Sequence, residues 1–225
     1  MLDVPGLGKT LQIIKLAEEL KKRENLEHCL IVCGINTLKY NWKKEINKFS
    51  DLGARIIGEY ITRTGKVTSK PIADRVKELS EPIDEFFVII NIESLRSDDI
   101  IKVLTKGKNK FDMIAVDEVH SCKSISSEQG SNLLKLKAKH QVGATGTLLL
   151  NDPLDCYVPL KWIDAERSSL SNFKYYYLEY GGTFGNMLIG FKNTELLKYQ
   201  LEQVSLRRTK DLLDLPPKNI IDEYV

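Results

Sequence analysis

The chain has 225 residues, enough to bury one large core or two small ones. Its 33 basic and 31 acidic residues leave a formal charge of +2, so a nucleic-acid surface has to be a local patch, because the global charge does not announce one. No apolar run reaches the roughly 18–20 residues of a membrane span and no secretory leader opens the chain. Cys29, Cys33, Cys122 and Cys156 form no CxxC pair, so a soluble intracellular protein with reduced core thiols is expected.

The first ten residues end in Gly6-Leu7-Gly8-Lys9-Thr10, which reads as a phosphate-binding loop of the Walker A kind. Two glycines allow a tight turn and a close approach of backbone N–H groups to phosphate oxygens. Lys9 is placed to reach the β- and γ-phosphates, and the Thr10 hydroxyl to ligate Mg²⁺. Leu11, Ile13, Ile14, Leu16, Ala17 and Leu20 then recur with a helical period, so a helix N-terminus adds its dipole at the anion. The full pattern asks for Gly where Asp3 stands, and some helicase-like ATPases use this shorter form. A buried strand normally precedes such a loop; with only Met1 and Leu2 before Asp3, the expectation is a chain that begins inside a larger protein.

His28 to Cys33 is an apolar, β-branched run suited to a buried parallel strand. Gly34 and Asn36 mark a turn after it, and Leu38, Trp42, Ile46 and Phe49 follow at helical spacing. Loops at the carboxyl ends of parallel strands are where α/β sheets place ligand contacts. Trp42 reads as core packing more than as a platform for bases. Ala54–Ile61 suggests one further strand and Pro71 to Leu79 a short helix stopped by Pro82. Phe86 to Ile90 is a buried strand leading to Asn91, Ser94 and Arg96, which suit either a phosphate backbone or, for Asn91 and Ser94, ordinary helix capping.

Lys102 to Lys110 reads as a basic connector into a strand, Phe111 to Val116, that ends in Asp117-Glu118-Val119-His120. A carboxylate at a strand end can hold Mg²⁺ and a neighbouring glutamate can orient the attacking water, which makes Asp117 and Glu118 the metal and base candidates. His140 to Ala144 forms another strand and delivers Thr145-Gly146-Thr147, small hydroxyl residues suited to a movable hydrogen-bond relay or to a simple turn. Leu154 to Trp162 predicts a mostly apolar helix. Residues 171–200 are aromatic-rich and contain a loop, and Arg207, Arg208 and Lys210 form a basic cluster before Pro216-Pro217. The closing residues 220–225 read as a strand.

These pieces in this order resemble the Swi/Snf-type helicase-like ATPases of helicase superfamily two, over nearly the whole chain. DVPGLGKT stands for the family's DEMGLGKT, DEVH for the DEAH box, TGTL for TGTP, and LRRTKDLLDLPPK carries the LRRTK…LPPK ending. The CGINTLKYNW stretch matches the LIVC…NW block, and GFKN is similar to the compact branch with annealing-helicase-like and bacterial or phage members. Val4 replaces a family glutamate but leaves the loop's N–H groups intact; Leu148 replaces a family proline and its rigidity.

The resemblance implies an α/β fold, a RecA-like P-loop NTPase lobe with a mainly parallel sheet sandwiched by helices, filling residues 1–225, with 218–225 starting the connection to a second lobe. It implies ATP and Mg²⁺ as ligands. Gly6, Leu7, Gly8, Lys9, Thr10 and Leu11 would bind nucleotide, Lys9, Asp117 and Glu118 would be catalytic, and Thr10 and Asp117 would hold the metal. His120 would couple the nucleotide to Thr145, Gly146 and Thr147, and Gly34, Asn36, Asn91, Ser94 and Arg96 would touch double-stranded DNA. The function implied is ATP hydrolysis coupled to translocation on duplex DNA, in bacterial or phage cytoplasm or in a eukaryotic nucleus, with no membrane partner. Arg207 and Arg208 do not match the arginine fingers, which the second lobe supplies. Such fingers are worth roughly 10³–10⁵ in rate, so the isolated chain is expected to be monomeric, to bind ATP weakly and to hydrolyse it negligibly. A restriction translocase or RNA helicase of the same superfamily, and a non-catalytic docking module for DNA or protein, are the competing readings.

Overall fold

The computed structural model describes residues 1–3, 6–34, 36–63, 65–146 and 152–209. The expected strand in 220–225, the LPPK motif, Lys210, Thr147, Leu148 and Val4 lie outside them.

Among the described residues, β1 (His28–Cys33), β2 (Ala54–Ile56), β5 (Phe87–Asn91), β6 (Phe111–Asp117) and β7 (His140–Ala144) form one parallel sheet in the order β2-β5-β1-β6-β7. The central strands are buried on both faces, which is why they read as unbroken apolar runs and not as alternating ones. Successive side chains go to opposite faces. Leu30, Val32, Val88, Ile90, Ile114 and Val116 share a core with α4 (Asp98–Lys106), α5 (Glu128–Leu133) and α6 (Tyr157–Trp162). Cys29, Ile31, Cys33, Phe87, Ile89, Met113 and Ala115 share the other with α1 (Lys9–Glu24) and α2 (Asn36–Phe49). Each fully buried Leu, Ile or Val contributes about 1.5–3 kcal/mol, so two continuous cores hold the layers in place. The sandwich of a parallel sheet between helices is the expected fold.

All four cysteines are buried and unpaired, and burial pushes the thiols of Cys33, Cys122 and Cys156 up to about 12. No helix of the described residues is long and apolar enough to cross a membrane.

Three stretches differ from the sequence expectation. Ala54–Ile61 is not one strand: β2 ends at Ile56, and β3 (Glu59–Ile61) pairs antiparallel with β4 (Val67–Ser69). Gly58 makes the break with φ +79°, and a Cβ there would lie 2.7 Å from Arg75, a residue of α3 (Ile72–Ser80). Most of the supposed connector at Lys102–Lys110 is helix α4, capped by the Ser97 hydroxyl, which accepts from the Ile100 N–H. Its Ile100, Ile101 and Leu104 are buried and the lysines point outward. Residues 170–204 hold α7 (Leu170–Tyr177), an antiparallel hairpin of β8 (Leu178–Gly181) and β9 (Met187–Phe191), and α8 (Thr194–Val204).

The amino-terminal residues extend the sheet. The Met1 nitrogen donates to Gly143 O at 2.7 Å and Thr145 N–H donates to Met1 O at 3.0 Å, a parallel bridge beyond β7. Leu2 N–H in turn donates to Leu206 O at 2.7 Å, so the segment after α8 lies beside the approach to the glycine loop. All these strands run the same way, and β1, β5, β6 and β7 deliver Gly34, Asn91, Asp117 and Thr145 to one edge of the sheet.

Candidate active site

Gly6 and Gly8 both adopt positive φ, +93° and +71°, a region that favours glycine. A Cβ at either would meet nothing within 4 Å, so the requirement is conformational. Gly8 is the N-cap of α1 and supplies no capping side chain, which leaves the first-turn N–H groups aimed out of the helix end as an anion cradle. Leu7, Lys9, Thr10 and Leu11 are half-buried around it. The Lys9 ammonium donates to Asp3 O at 2.9 Å. The amide of Gln12, on the first turn of α1, donates to Leu7 O at 2.9 Å and to Asp3 Oδ2 at 3.3 Å.

Facing this loop is the carboxyl end of β6. Burial pushes the Asp117 carboxyl up and Glu118 adds to the rise, while Trp42, the Glu118 backbone N–H and the Lys9 charge oppose it. Lys9 thus acts on Asp117 across the site. The Trp42 indole N–H donates to Asp117 Oδ2 at 3.0 Å. Trp42 is only 3 % exposed, so it is a core residue as expected, and it also fixes the carboxylate.

Glu118 has φ +53°, a strained conformation for a residue with a side chain. The turn sends its carboxylate toward β7 instead of letting the strand continue. Thr145 Oγ1 donates to Glu118 Oε2 at 3.2 Å, and His120 Nδ1 lies 2.9 Å from Thr145 Oγ1 and 3.1 Å from Glu118 Oε2. Glu118, His120 and Thr145 form one hydrogen-bonded cluster linking β6 to β7, and half-buried Gly146 follows it. The Thr147 position lies outside the described residues.

The suggested DNA-contact residues are not equivalent. Gly34 is half-buried at the end of β1, and Asn36 is the first residue of α2. Asn91 and Ser94 are buried and bonded to each other through Oδ1 and Oγ, with Arg75 Nη1 donating to Ser94 Oγ at 3.4 Å. Neither caps the short 3-10 turn Ile92–Arg96 with its side chain; Arg96 at its end is exposed.

Sequence reasoning missed three side chains: Trp42 as a partner of Asp117, Gln12 as a brace of the loop, and Arg208. The Arg208 guanidinium donates from Nη2 to Asp3 Oδ2 at 2.6 Å and from Nε to Oδ2 at 3.2 Å, and its backbone N–H donates to Oδ1 at 2.8 Å. A polar Gln12 in the first turn of an otherwise apolar-faced helix was the only local signal.

Thr10 and Asp117 supply oxygen donors of the kind Mg²⁺ takes, one from the loop helix and one from the half-buried end of β6, where a carboxyl pushed up by its surroundings gains from a nearby cation, so the residues fit the ion.

Comparison with known proteins gives a consistent result. Residues 1–224 match the SNF2-related domain. An uncharacterized ATP-dependent helicase of Mycoplasma pneumoniae is 30% identical over 229 residues, covering 100% of this chain and 20% of that protein. The DNA repair and recombination protein RAD54B of Gallus gallus is 30% identical over 240 residues, covering 98% of this chain and 24% of that protein. Among solved structures, the Sulfolobus solfataricus SWI2/SNF2 ATPase core in complex with dsDNA aligns with a TM-score of 0.69 at 25% identity, over 95% of this chain and 41% of that one. The chain spans about a fifth to a quarter of the curated relatives' length. With this match over nearly its full length, the chain belongs to the SNF2-related domain family of helicase-like ATPases.

Proposed function

We propose that this chain is the nucleotide-binding lobe of a DNA-dependent ATPase that couples ATP hydrolysis to movement along double-stranded DNA, and that residues 218–225 begin the connection to a second lobe. The observation that carries the reading is the meeting of Lys9, Asp117 and the Glu118–His120–Thr145 cluster at one sheet edge. A scaffold that only docks DNA or protein has no use for that combination.

In this reading the N–H groups at Gly6–Thr10 hold the phosphates, and Lys9 moves from Asp3 O to the phosphate oxygens. Thr10 and Asp117 would hold Mg²⁺, which would supply positive charge to offset that of the phosphates. Trp42 keeps Asp117 in one orientation. Glu118 accepts a hydrogen bond from the attacking water and aims its oxygen at the terminal phosphorus. His120 and Thr145 register the carboxylate's position and pass it to β7, and Gly34, Asn36 and Arg96 face the DNA backbone, with Asn91 and Ser94 shaping the loop behind them. The similar Sulfolobus solfataricus core is a complex with dsDNA, which supports duplex DNA as the partner.

The test has two parts. A fluorescent ATP analogue with Mg²⁺ is titrated against this chain and against Lys9→Ala; binding by the wild type and its loss in the variant is expected. Duplex DNA, single-stranded DNA and RNA are then compared as stimulators of hydrolysis by the longer protein. Stronger stimulation by RNA would replace the duplex reading, and full function in a Lys9→Ala version would leave only a docking role.

A further inference from the structure

Asp3 is 0 % exposed, and a carboxylate taken out of water costs several kcal/mol unless its oxygens are satisfied. Here they are. Besides the bonds from Arg208 Nη2, Nε and backbone N–H, Gln12 Nε2 donates to Oδ2, and Gln12 Oε1 accepts from Arg208 Nη2. Burial by itself raises the Asp3 carboxyl; the bonds from Arg208 and Gln12 and the Arg208 charge outweigh that and hold it below the ordinary carboxylate value.

This network encloses the glycine loop. Asp3 stands just before it and also takes the Lys9 ammonium on its carbonyl oxygen, while Gln12 stands just after it and holds Leu7 O. Arg208 arrives from the far end of the described chain, 205 residues from Asp3, on the segment whose Leu206 O accepts from Leu2 N–H. A loop with two glycines in the left-handed region is entropically costly to order, and a site pre-ordered before its ligand arrives binds more tightly.

We propose that Arg208 is a positioning residue for the phosphate loop: with Asp3 and Gln12 it clamps both ends of Gly6–Thr10, so that the placement of the segment after α8 sets the loop's readiness for nucleotide. This rests on the nucleotide-binding reading above and deepens it. The clamp favours the planar fork, because Nε and Nη2 reach Asp3 and Gln12 from two nitrogens held in one plane, whereas an ammonium gathers its three donors at a single point. It also runs both ways: nucleotide that tightens the loop protects the Arg208 segment by the same factor.

Backbone hydrogen exchange on the chain without nucleotide tests the clamp directly, comparing wild type, Arg208→Gln and Arg208→Lys. Exchange of the hydrogen-bonded amides that border the loop, Leu2, which donates to Leu206 O, and Gln12, which donates to Gly8 O, is expected to quicken at least tenfold in both variants while β1 amides keep their rates. Unchanged exchange at these amides, equal acceleration in β1, or full rescue by lysine would each overturn the proposal, the second by showing only a global loss of stability. Should the single variants fail to fold, Asp3→Asn/Arg208→Gln removes both charges together and leaves no buried carboxylate unpaired; the same local loosening is expected of it. Titration with the fluorescent ATP analogue and Mg²⁺ separates the two readings. Binding by the wild type, loss in Lys9→Ala and an unchanged dissociation constant in Arg208→Gln would sink the clamp alone, where at least a tenfold weakening is expected. No binding by wild type would sink the nucleotide reading, and the exchange result would still decide the clamp.

Discussion

Asp3 and Asp117 stand on opposite sides of the same site and are built in opposite ways. Asp3 is enclosed and answered by a guanidinium, a backbone N–H and an amide, and its carboxyl is held low. Asp117 is at a strand end, held by an indole N–H, and burial with Glu118 beside it drives its carboxyl up. One carboxylate has its charge neutralised within the chain and serves to hold backbone. The other keeps an environment that gains from a nearby cation, which is what a metal or substrate corner needs. The same residue type thus has its charge answered in one place and left largely unanswered in the other, and the surroundings decide which role the proposed function gives it.

The contrast is sharpest at Glu118, which the proposed function places on the chemical side. In the two-lobed protein of the proposed function, Glu118→Gln is expected to lower the rate constant of hydrolysis by roughly 10²–10⁴ while leaving nucleotide affinity near its wild-type value, the signature of a group that acts only in the transition state. A parallel fall in affinity would move Glu118 to the structural side. Single-turnover hydrolysis with a separate binding titration checks it.

Trp42→Phe tests whether the indole belongs to the core or to the site. Removing a hydrogen bond to a charged group costs about 1.5–3 kcal/mol, and the lost ring volume adds to it. We expect a lower urea midpoint together with weaker Mg²⁺-dependent nucleotide binding. A midpoint shift with unchanged Mg²⁺ dependence would make Trp42 a packing residue only.

The smallest effect is the acid limb of stability. The folded value of Asp3 lies below its unfolded one, so its contribution is complete above the unfolded carboxylate range near about pH 4 and is lost as pH falls through the lowered value. Urea midpoints between neutral and acid pH are expected to fall less steeply for Asp3→Asn/Arg208→Gln than for wild type. Parallel curves would mean that the Asp3–Arg208 pair adds nothing to acid sensitivity.

Legibility followed locality. The strands β1, β5 and β6 could be read because a parallel strand covered on both faces must be apolar throughout, and few other elements so short are. The glycine loop and the Asp117-Glu118 strand end could be read as motifs because each is written in adjacent residues. Helix α4 was obscured because Lys102 and Lys106 dominate its exposed face, though Ser97 and the buried Ile100, Ile101 and Leu104 carried the signal. The β8–β9 hairpin was obscured for another reason: β9 is mostly exposed, so no buried face imposes an alternation on its sequence.

The sequence by itself determined the order of apolar strands, the nucleotide motifs and the family to which they belong, since each is written in neighbouring residues. Only the tertiary structure decided that Trp42 holds Asp117 from 75 residues away and that Arg208 holds Asp3 from 205. A hydrogen bond between distant residues leaves no period and no spacing in the chain. It exists only once the sheet has brought the two donors and their carboxylates to the same edge.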